Sequence, residues 1–589
     1  MIQLQNMNGY NINLNGIKPF ILPKYIVMLV FISIGLFSHY EGVAQHFPPD
    51  NETLTYTQIR FAWPAIYQAD TYILQVASTS EQLKKGQALL SFRVHDQSSY
   101  IVREGLHYGK KYYWQIIAFK DTEETYQSPI HSFSIKQVAR ADSTQFRHRI
   151  EKAYTGSDAP YFFVDKPAVL INAKGLPIWA FPNDTVERLF NLQLLDNGNI
   201  AYFRPRGRRQ GNENLVFEER TLKGELVWRA PDDGQVSGDS IEHYHHDFQY
   251  LTNGNIMIAG NEFRNHQPKG ARGPLLVRYG TLIEYNRKGE VVWSWKSFQH
   301  LKDEDVYEAG LKDNPVHLNG FHYNEATGYI YASFRYIDRI VKIAKQKGTI
   351  VHSFGRKQPS GEAHSANGFF HMQHSPHTIG SHLYLYDNAT GKGEDTLSSL
   401  LIINMPDNIN EQGDIHFRFP LNFGMRRESW SESKGDIDVL EDGSLVGCMG
   451  SIPRTVWVSP KDGLLWSCKH EFRKHPQEPW QDIQANYRDH WTYSLYPVQV
   501  AAQWELAPKG KRPQILRMQN IGTTTDYYRI ILSNLDGKAI KEWQSDELSS
   551  NAIQRMKVKV KGDIEQLCLR VYSTQNPHIW IEVALPPVE

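Results

Sequence analysis

Short runs in which apolar and polar residues alternate, separated by Gly, Asn and Asp turns, fill most of the chain and predict an all-β protein. Three such regions differ in pattern. In the first, Thr71-Tyr-Ile-Leu-Gln-Val76, Lys111-Tyr-Tyr-Trp-Gln-Ile116 and His131-Ser-Phe-Ser-Ile135 alternate after an opening Phe61-Ala-Trp63-Pro64-Ala65. Strands at this spacing predict a β-sandwich over residues 48–138, and the polar stretch 140–149 reads as a linker.

The second region, residues 150–475, repeats. A tight Gly turn is followed four positions later by an aromatic ring: Gly175 and Trp179, Gly224 and Trp228, Gly289 and Trp293, Gly348 and His352, Gly413 and Phe417. A sixth copy, Gly463 and Trp466, is one residue shorter. Most units also carry an earlier hairpin, as in Leu195-Asp-Asn-Gly-Asn-Ile200, Leu251-Thr-Asn-Gly-Asn-Ile256 and Leu440-Glu-Asp-Gly-Ser-Leu445. Asn and Gly tolerate the positive φ that such turns require. Units of this length with several strands each predict the blades of a β-propeller. Six copies argue for six blades; five and seven stay open, because the first copy is truncated and can complete a blade with the C-terminal end. In the third region, residues 485–589, the repeat is lost and alternating runs such as Tyr528-Arg-Ile-Ile-Leu532 predict a small C-terminal β-sandwich-like domain.

The one long apolar run, Tyr25 to Phe37, follows Lys18 and Lys24 and leads to Ala44. A basic flank, a short apolar core and a small residue describe a signal peptide over residues 1–44, with an uncleaved anchor as the alternative. The expected location is therefore periplasmic or secreted. The chain has 64 basic and 64 acidic residues, so no basic excess points to nucleic acid. Three cysteines are too few for a disulfide framework. The first-region pattern resembles a fibronectin type III domain.

Candidate chemistry gathers where a propeller presents the start of each innermost strand to its central channel. Three successive units place histidines there: His243-Tyr-His245-His246-Asp247, Asn314-Pro-Val-His317-Leu-Asn319 and His371-Met-Gln373-His374-Ser-Pro-His377. His243, His322, His371 and His377 read as ordinary hydrogen-bonding residues. Arg335 follows His317 by 18 residues, one inner strand, a turn and a strand back (335 − 317), and its planar fork of donors suits a tetrahedral oxyanion. Asp387-Asn388 ends the analogous hairpin after His382.

These motifs, His245-His246-Asp247-Phe248, the His317-to-Arg335 step, and Gln373-His374 followed by Asp387-Asn388, resemble those of the bacterial arylsulfotransferase (aryl sulfate sulfotransferase) family. The resemblance implies an exported six-bladed propeller that moves a sulfuryl group from an aryl sulfate to a phenol without a nucleotide donor. It implies His374 as the transiently sulfated nucleophile, and His246 (or His245, one register away), His317, Arg335 and Asn319 as substrate-binding residues. Where the family reads His-x-Asn-Ser, this chain reads His317-Leu-Asn319-Gly320, and the paired cysteines of some members are missing. No cofactor, no resident metal and no nucleic acid are expected; the partners are small-molecule aryl sulfate and phenol, with homodimerisation left open. A protonated His317 or His246 is expected to protonate the leaving phenolate. Two other classes compete: a non-catalytic binding scaffold, and a His-rich metal-binding propeller, against which the nearby Arg335 and the lack of an HExxH motif argue.

Overall fold

The computed structural model describes residues 46–583 except 64–65, 67–68, 96–97, 157–158, 184–187, 208–213, 269–270, 308–313, 362–363, 394–395, 409, 484–487, 497–499, 505–514, 521, 523–524, 535–537, 551, 559–566 and 575–579. The expected signal peptide lies outside these residues. Among them, strands dominate, helices are a turn or so long, and none is long and apolar enough to cross a membrane.

Between residues 161 and 472 the chain lays down antiparallel sheets in succession. Sheet 2 starts at Phe190–Leu194, sheet 3 at His243–Tyr250, sheet 4 at Leu318–Asn324, sheet 5 at His374–Ile379 and sheet 6 at Asp436–Val439. Each continues through three further strands in sequence order, and a single bridge, Leu215 to Tyr244, joins sheets 2 and 3. Sheet 1 has only three strands from this stretch, Tyr161–Val164, Val169–Ile171 and Pro177–Ala180. Its fourth comes from far downstream: Trp491–Thr492 pairs with Tyr161–Phe162. The truncated first copy is thus completed by a C-terminal strand beyond residue 475. At the other end, Phe146–Lys152 and the short Gln481–Asp482 both pair with Gly463–Phe472 and bring sheet 6 to six strands, so the stretch around the expected linker is paired rather than loose.

The repeat signature has a physical role. All six signature glycines, Gly175, Gly224, Gly289, Gly348, Gly413 and Gly463, have positive φ, and the ring that follows each lies on the outermost of the four repeat strands. Several of these tryptophans tie their sheet to the next. Trp179 Nε1 donates to Leu222 O (3.0 Å), Trp228 to Arg287 O (3.1 Å) and Trp293 to Lys345 O (3.1 Å). Trp466 of sheet 6 donates to Ala173 O of sheet 1 at 2.9 Å and stacks on Phe162 with ring centroids 4.1 Å apart. A single core joins Val446, Trp457 and Trp466 to Phe162, Val164 and Ile171, so the last sheet packs against the first. Truncating so large a buried ring costs about 3–5 kcal/mol.

Two further units flank these sheets, the N-terminal one packed on sheet 1 and the C-terminal one bonded to the N-terminal one through Ser99 and Gln519. The N-terminal one sets the pair Ile59–Ala62 and Ser99–Val102 against a sheet built on Thr71–Ala77 and Lys110–Lys120, over Trp63, Tyr72, Trp114 and Phe133. That core runs on into Phe163 and Trp179 of sheet 1. The C-terminal unit holds a three-stranded and a four-stranded sheet over Leu516, Tyr528, Ile530 and Val571.

Candidate functional site

The first strands of successive sheets lie side by side, and four of them are irregular at the same level. Register shifts fall between Phe190 and Gln193, Tyr244 and Phe248, Leu318 and Gly320, and His374 and His377. In a regular strand, neighbouring side chains point to opposite faces; a bulge re-aims them. This is how His245 and His246, adjacent in sequence, both enter the site: both are buried, with ring centroids 3.7 Å apart, and His317 lies 5.1 Å from the first and 6.3 Å from the second. The choice between His245 and His246 therefore has no single answer. His317 itself sits at φ 52°, a left-handed conformation unusual for a non-glycine residue.

His374 opens sheet 5 and is 2% exposed. Its Nδ1 faces two oxygens, Asn388 Oδ1 at 2.7 Å and Met372 O at 3.0 Å. Asn388 is fixed in that orientation, because its Nδ2 donates to Ser431 O (3.0 Å) and Lys434 O (2.8 Å). Two acceptors at Nδ1 require a proton there, so Nε2 carries the lone pair. The Lys434 N–H donates to that Nε2 at 3.2 Å.

Arg335 is buried at the far end of the hairpin from His317, and its own N–H donates to the His317 carbonyl at 3.1 Å. One guanidinium nitrogen donates to Glu432 O at 2.8 Å, the Nε has no hydrogen-bond partner, and the group lies 4.9 Å over the Tyr336 ring. His317 Nδ1 accepts from Asn314 Nδ2 at 3.0 Å, which leaves its Nε2–H as a donor. Asn319 is held at one end: its Nδ2 donates to Gln373 O at 2.6 Å, its buried Oδ1 has no hydrogen-bond partner, and Gln373 in turn donates to Ser333 Oγ and Arg339 O. Asn319 and Gln373 thereby hold the backbone that leads into His374.

Burial, then the charge of Arg335, holds His374 well below the usual histidine range. The same two causes, with Arg278 added, bring His317 down to about 3. His245 and His246 are lowered as well, by burial first and by the neighbouring rings next. All four are neutral at pH 7 in the unliganded site. The expected protonated donor, His317 or His246, is therefore not the form present there: burial disfavours the cation at both, with Arg335 adding to it at His317 and the neighbouring rings and Arg488 at His246.

Sequence reasoning missed the supports. Asn191, from sheet 2, donates to His246 O (3.1 Å) and to Asp247 Oδ1 (3.3 Å). Asp247 also accepts from Phe321 N (2.7 Å) and from Arg488 Nη2 (2.9 Å). Arg488 precedes the strand that completes sheet 1, so no repeat signal marks it. The Lys434 contact uses backbone alone and leaves no side-chain trace in the sequence. Asn388 was visible as a hairpin end, though not in its role.

An all-β protein whose sheets bring buried neutral histidines and an arginine to one point is the class these features define. Residues 164–412 match the model of the arylsulfotransferase (ASST) family. His245, His246, His317, Asn319, Arg335, His374 and Asn388 all fall inside the match. No curated protein matches the chain. Among solved structures, a Bacteroides caccae protein of unknown function is 14% identical, covering 55% of this chain and 93% of its own at TM-score 0.33. The periplasmic gluconolactonase of Pseudomonas aeruginosa is 12% identical over 70% of this chain and 100% of its own, at TM-score 0.28. A streptogramin B lyase is 10% identical over 57% and 90%, at TM-score 0.27. Likeness at this level carries no argument about architecture or activity.

Proposed function

We propose that sheets 1 to 6 are the blades of a six-bladed propeller, flanked by a fibronectin type III-like and a C-terminal β-domain, in an exported nucleotide-independent aryl-sulfate sulfotransferase. Sheet-to-sheet tryptophan bonds, the Trp466–Phe162 packing and the strand from residues 491–492 support the ring.

The observation that carries the chemistry is the fixed tautomer of His374, with Nδ1–H held by Asn388 and Met372 and the Nε2 lone pair beside Arg335's charge. Nε2 gives up the Lys434 N–H, which turns to a sulfuryl oxygen, and attacks the sulfur of an aryl sulfate; the N–S bond forms as the S–O(aryl) bond breaks, and the electron pair leaves with the phenolate. The N-sulfo ring is then cationic, and its Nδ1–H bonds to two oxygens strengthen. A phenol oxygen next attacks sulfur, the N–S electrons return to Nε2, and the phenol proton goes to solvent. A neutral imidazole needs no base for this work.

Negative charge grows on the sulfuryl and leaving oxygens. Arg335, the N–H of His317 and the Lys434 amide are donors near that point, each such contact contributing about 2–4 kcal/mol to the transition state. The test is 4-nitrophenyl sulfate with a panel of phenols. Nitrophenolate release that depends on acceptor, with stoichiometric aryl sulfate formed from the acceptor, is expected. No release across the panel by folded protein would overturn the reading.

A further inference from the structure

Among the described residues, one group of three ligating side chains converges: His245, His246 and His317 each bring a ring nitrogen within 4.8 Å of the other two. Two come from the bulge in sheet 3 and one from the left-handed residue that begins sheet 4. His245 is 1% exposed and its Nδ1 has no hydrogen-bond partner, an unmet requirement at the centre of the cluster. No acidic side chain belongs to the group, so the donor set is purely imidazole, which suits zinc, copper or nickel rather than calcium or magnesium.

We propose that these three imidazoles bind a divalent transition-metal ion of the zinc class, and that the ion and a sulfate ester compete for the same donors. The metal site stands on the histidine geometry alone; the competition rests on the sulfuryl-transfer reading. Tetrahedral ligation at about 2.0–2.1 Å per nitrogen draws three nitrogens to about 3.4 Å from one another. From at most 4.8 Å the rings need small side-chain rotations to reach it, and His317 also needs the Asn314 amide turned so that Nδ1 carries the proton and Nε2 is free to ligate. A set of three imidazoles leaves the fourth position to water, the arrangement of an open zinc site. Occupation removes His246 and His317 from the sulfuryl oxygens.

Arg335 gives the proposal a sign. Its guanidinium, tied to Glu432 O at 2.8 Å, opposes a cation next to His317 and favours an anion there. Removing that charge weakens sulfate and strengthens zinc, whereas a residue needed only for folding weakens both.

The experiment uses the full chain without a histidine tag, equilibrated with zinc, desalted and measured for metal by mass spectrometry, with Co2+ as a spectroscopic probe. About one ion per chain is expected, with the visible d–d bands of tetrahedral Co2+. The stoichiometry falls toward zero in a His245→Ala/His317→Ala double variant and is kept in His322→Ala. Arg335→Gln binds zinc roughly tenfold more tightly, and excess inorganic sulfate weakens zinc binding to the wild type. Wild-type protein that holds no stoichiometric ion and shows no tetrahedral Co2+ spectrum overturns the proposal without reference to any variant. Retention by a double variant whose circular dichroism is native also overturns it. Nitrophenyl sulfate turnover in the same preparations separates the two readings. Bound zinc without turnover under any condition, including after chelation, removes the transferase and leaves the metal site. Turnover unaffected by bound zinc overturns the competition.

Discussion

Two layers of histidine stand on the same inner strands, and they differ in what lies beside them. In the upper layer His317 and His374 sit near Arg335, with no carboxylate among the causes that move their titration. Three residues further along sheet 5, the His377 ring lies tilted against His322 with centroids 4.1 Å apart, and the charges acting on it are Asp438, Asp436 and Arg488. Nearby His490 gives Nδ1 to Asp438 at 3.2 Å and Nε2 to Asn191 at 2.7 Å. This lower layer lines a cavity of about 670 Å³ with Gln249 and Tyr250. Histidine alone therefore does not define a site. The adjacent charge sets the difference on top of burial: His317 and His374 beside a guanidinium suit an oxyanion and a neutral nucleophile, while in the lower layer burial keeps His322 and His377 low and only His490, bonded to Asp438, suits a paired cation.

The largest expected effect breaks the equivalence of two residues on one strand. His374→Ala should lower nitrophenyl sulfate turnover by about 10³-fold or more, because no other group supplies the covalent step. His377→Ala, in the carboxylate layer, should stay within about threefold, since it touches no reacting atom in the proposed chemistry. Acid quench of wild type with radiolabelled donor should trap label on protein, and the His374 variant should trap none. Equal losses in the two variants would mean that the layers do not differ in chemistry.

How far the sequence reveals this contrast depends on the kind of signal involved. The turn glycines are legible because positive φ leaves few residue choices, and Gly175 through Gly463 mark their sheets correctly. The spacing from His317 to Arg335 is legible too, since a hairpin brings its ends together; the backbone bond between them is 3.1 Å. The bulges are not: no composition cue distinguishes a re-aimed His245 from one facing away, so sequence alone had to choose between neighbours that both enter. Arg488 and the strand at Trp491 lie beyond the repeat, where ring completion is a tertiary fact. Asn319 shows how little a motif says of orientation: its Nδ2 turns to the backbone of Gln373, while its buried Oδ1 has no hydrogen-bond partner.

A middle-sized effect sharpens the upper layer by its tautomer. Asn388→Leu removes the acceptor at His374 Nδ1 and leaves only Met372 O to hold the ring. A loss of about 10–100-fold in kcat is expected, with KM for the donor little changed, as for other residues that orient a working imidazole. Asn388→Asp keeps an acceptor at that place and should recover most of kcat. A merely structural Asn388 would give no such rescue, because the aspartate also loses the amide donors to Ser431 and Lys434.

The smallest expected effect uses pH to separate the layers without catalysis. His490 is raised above the ordinary 6.5: burial works against its charge, but the hydrogen bond and charge of Asp438 outweigh it. A group raised on folding stabilises fully below its unfolded value and loses that contribution as pH rises through its folded value. His317, held down to about 3 by burial and Arg335, runs the other way. The unfolded chain protonates it below 6.5 while the folded chain does not, so stability falls as pH drops from 6.5 toward 3. Thermal midpoints measured across this range should therefore decline on both sides, with different residues responsible. Asp438→Asn should cost about 1.5–3 kcal/mol at pH 6, where the charged hydrogen bond is intact; above about pH 5 it should flatten only the alkaline side, and below about pH 4 it also removes a carboxylate that, against its burial, His490 holds low. His317→Gln should make only the acid side shallower, by one histidine's share, because His245, His246, His322 and His374 are held low as well. If Asp438→Asn changed the acid limb instead, the carboxylate would not be what sets the lower layer apart.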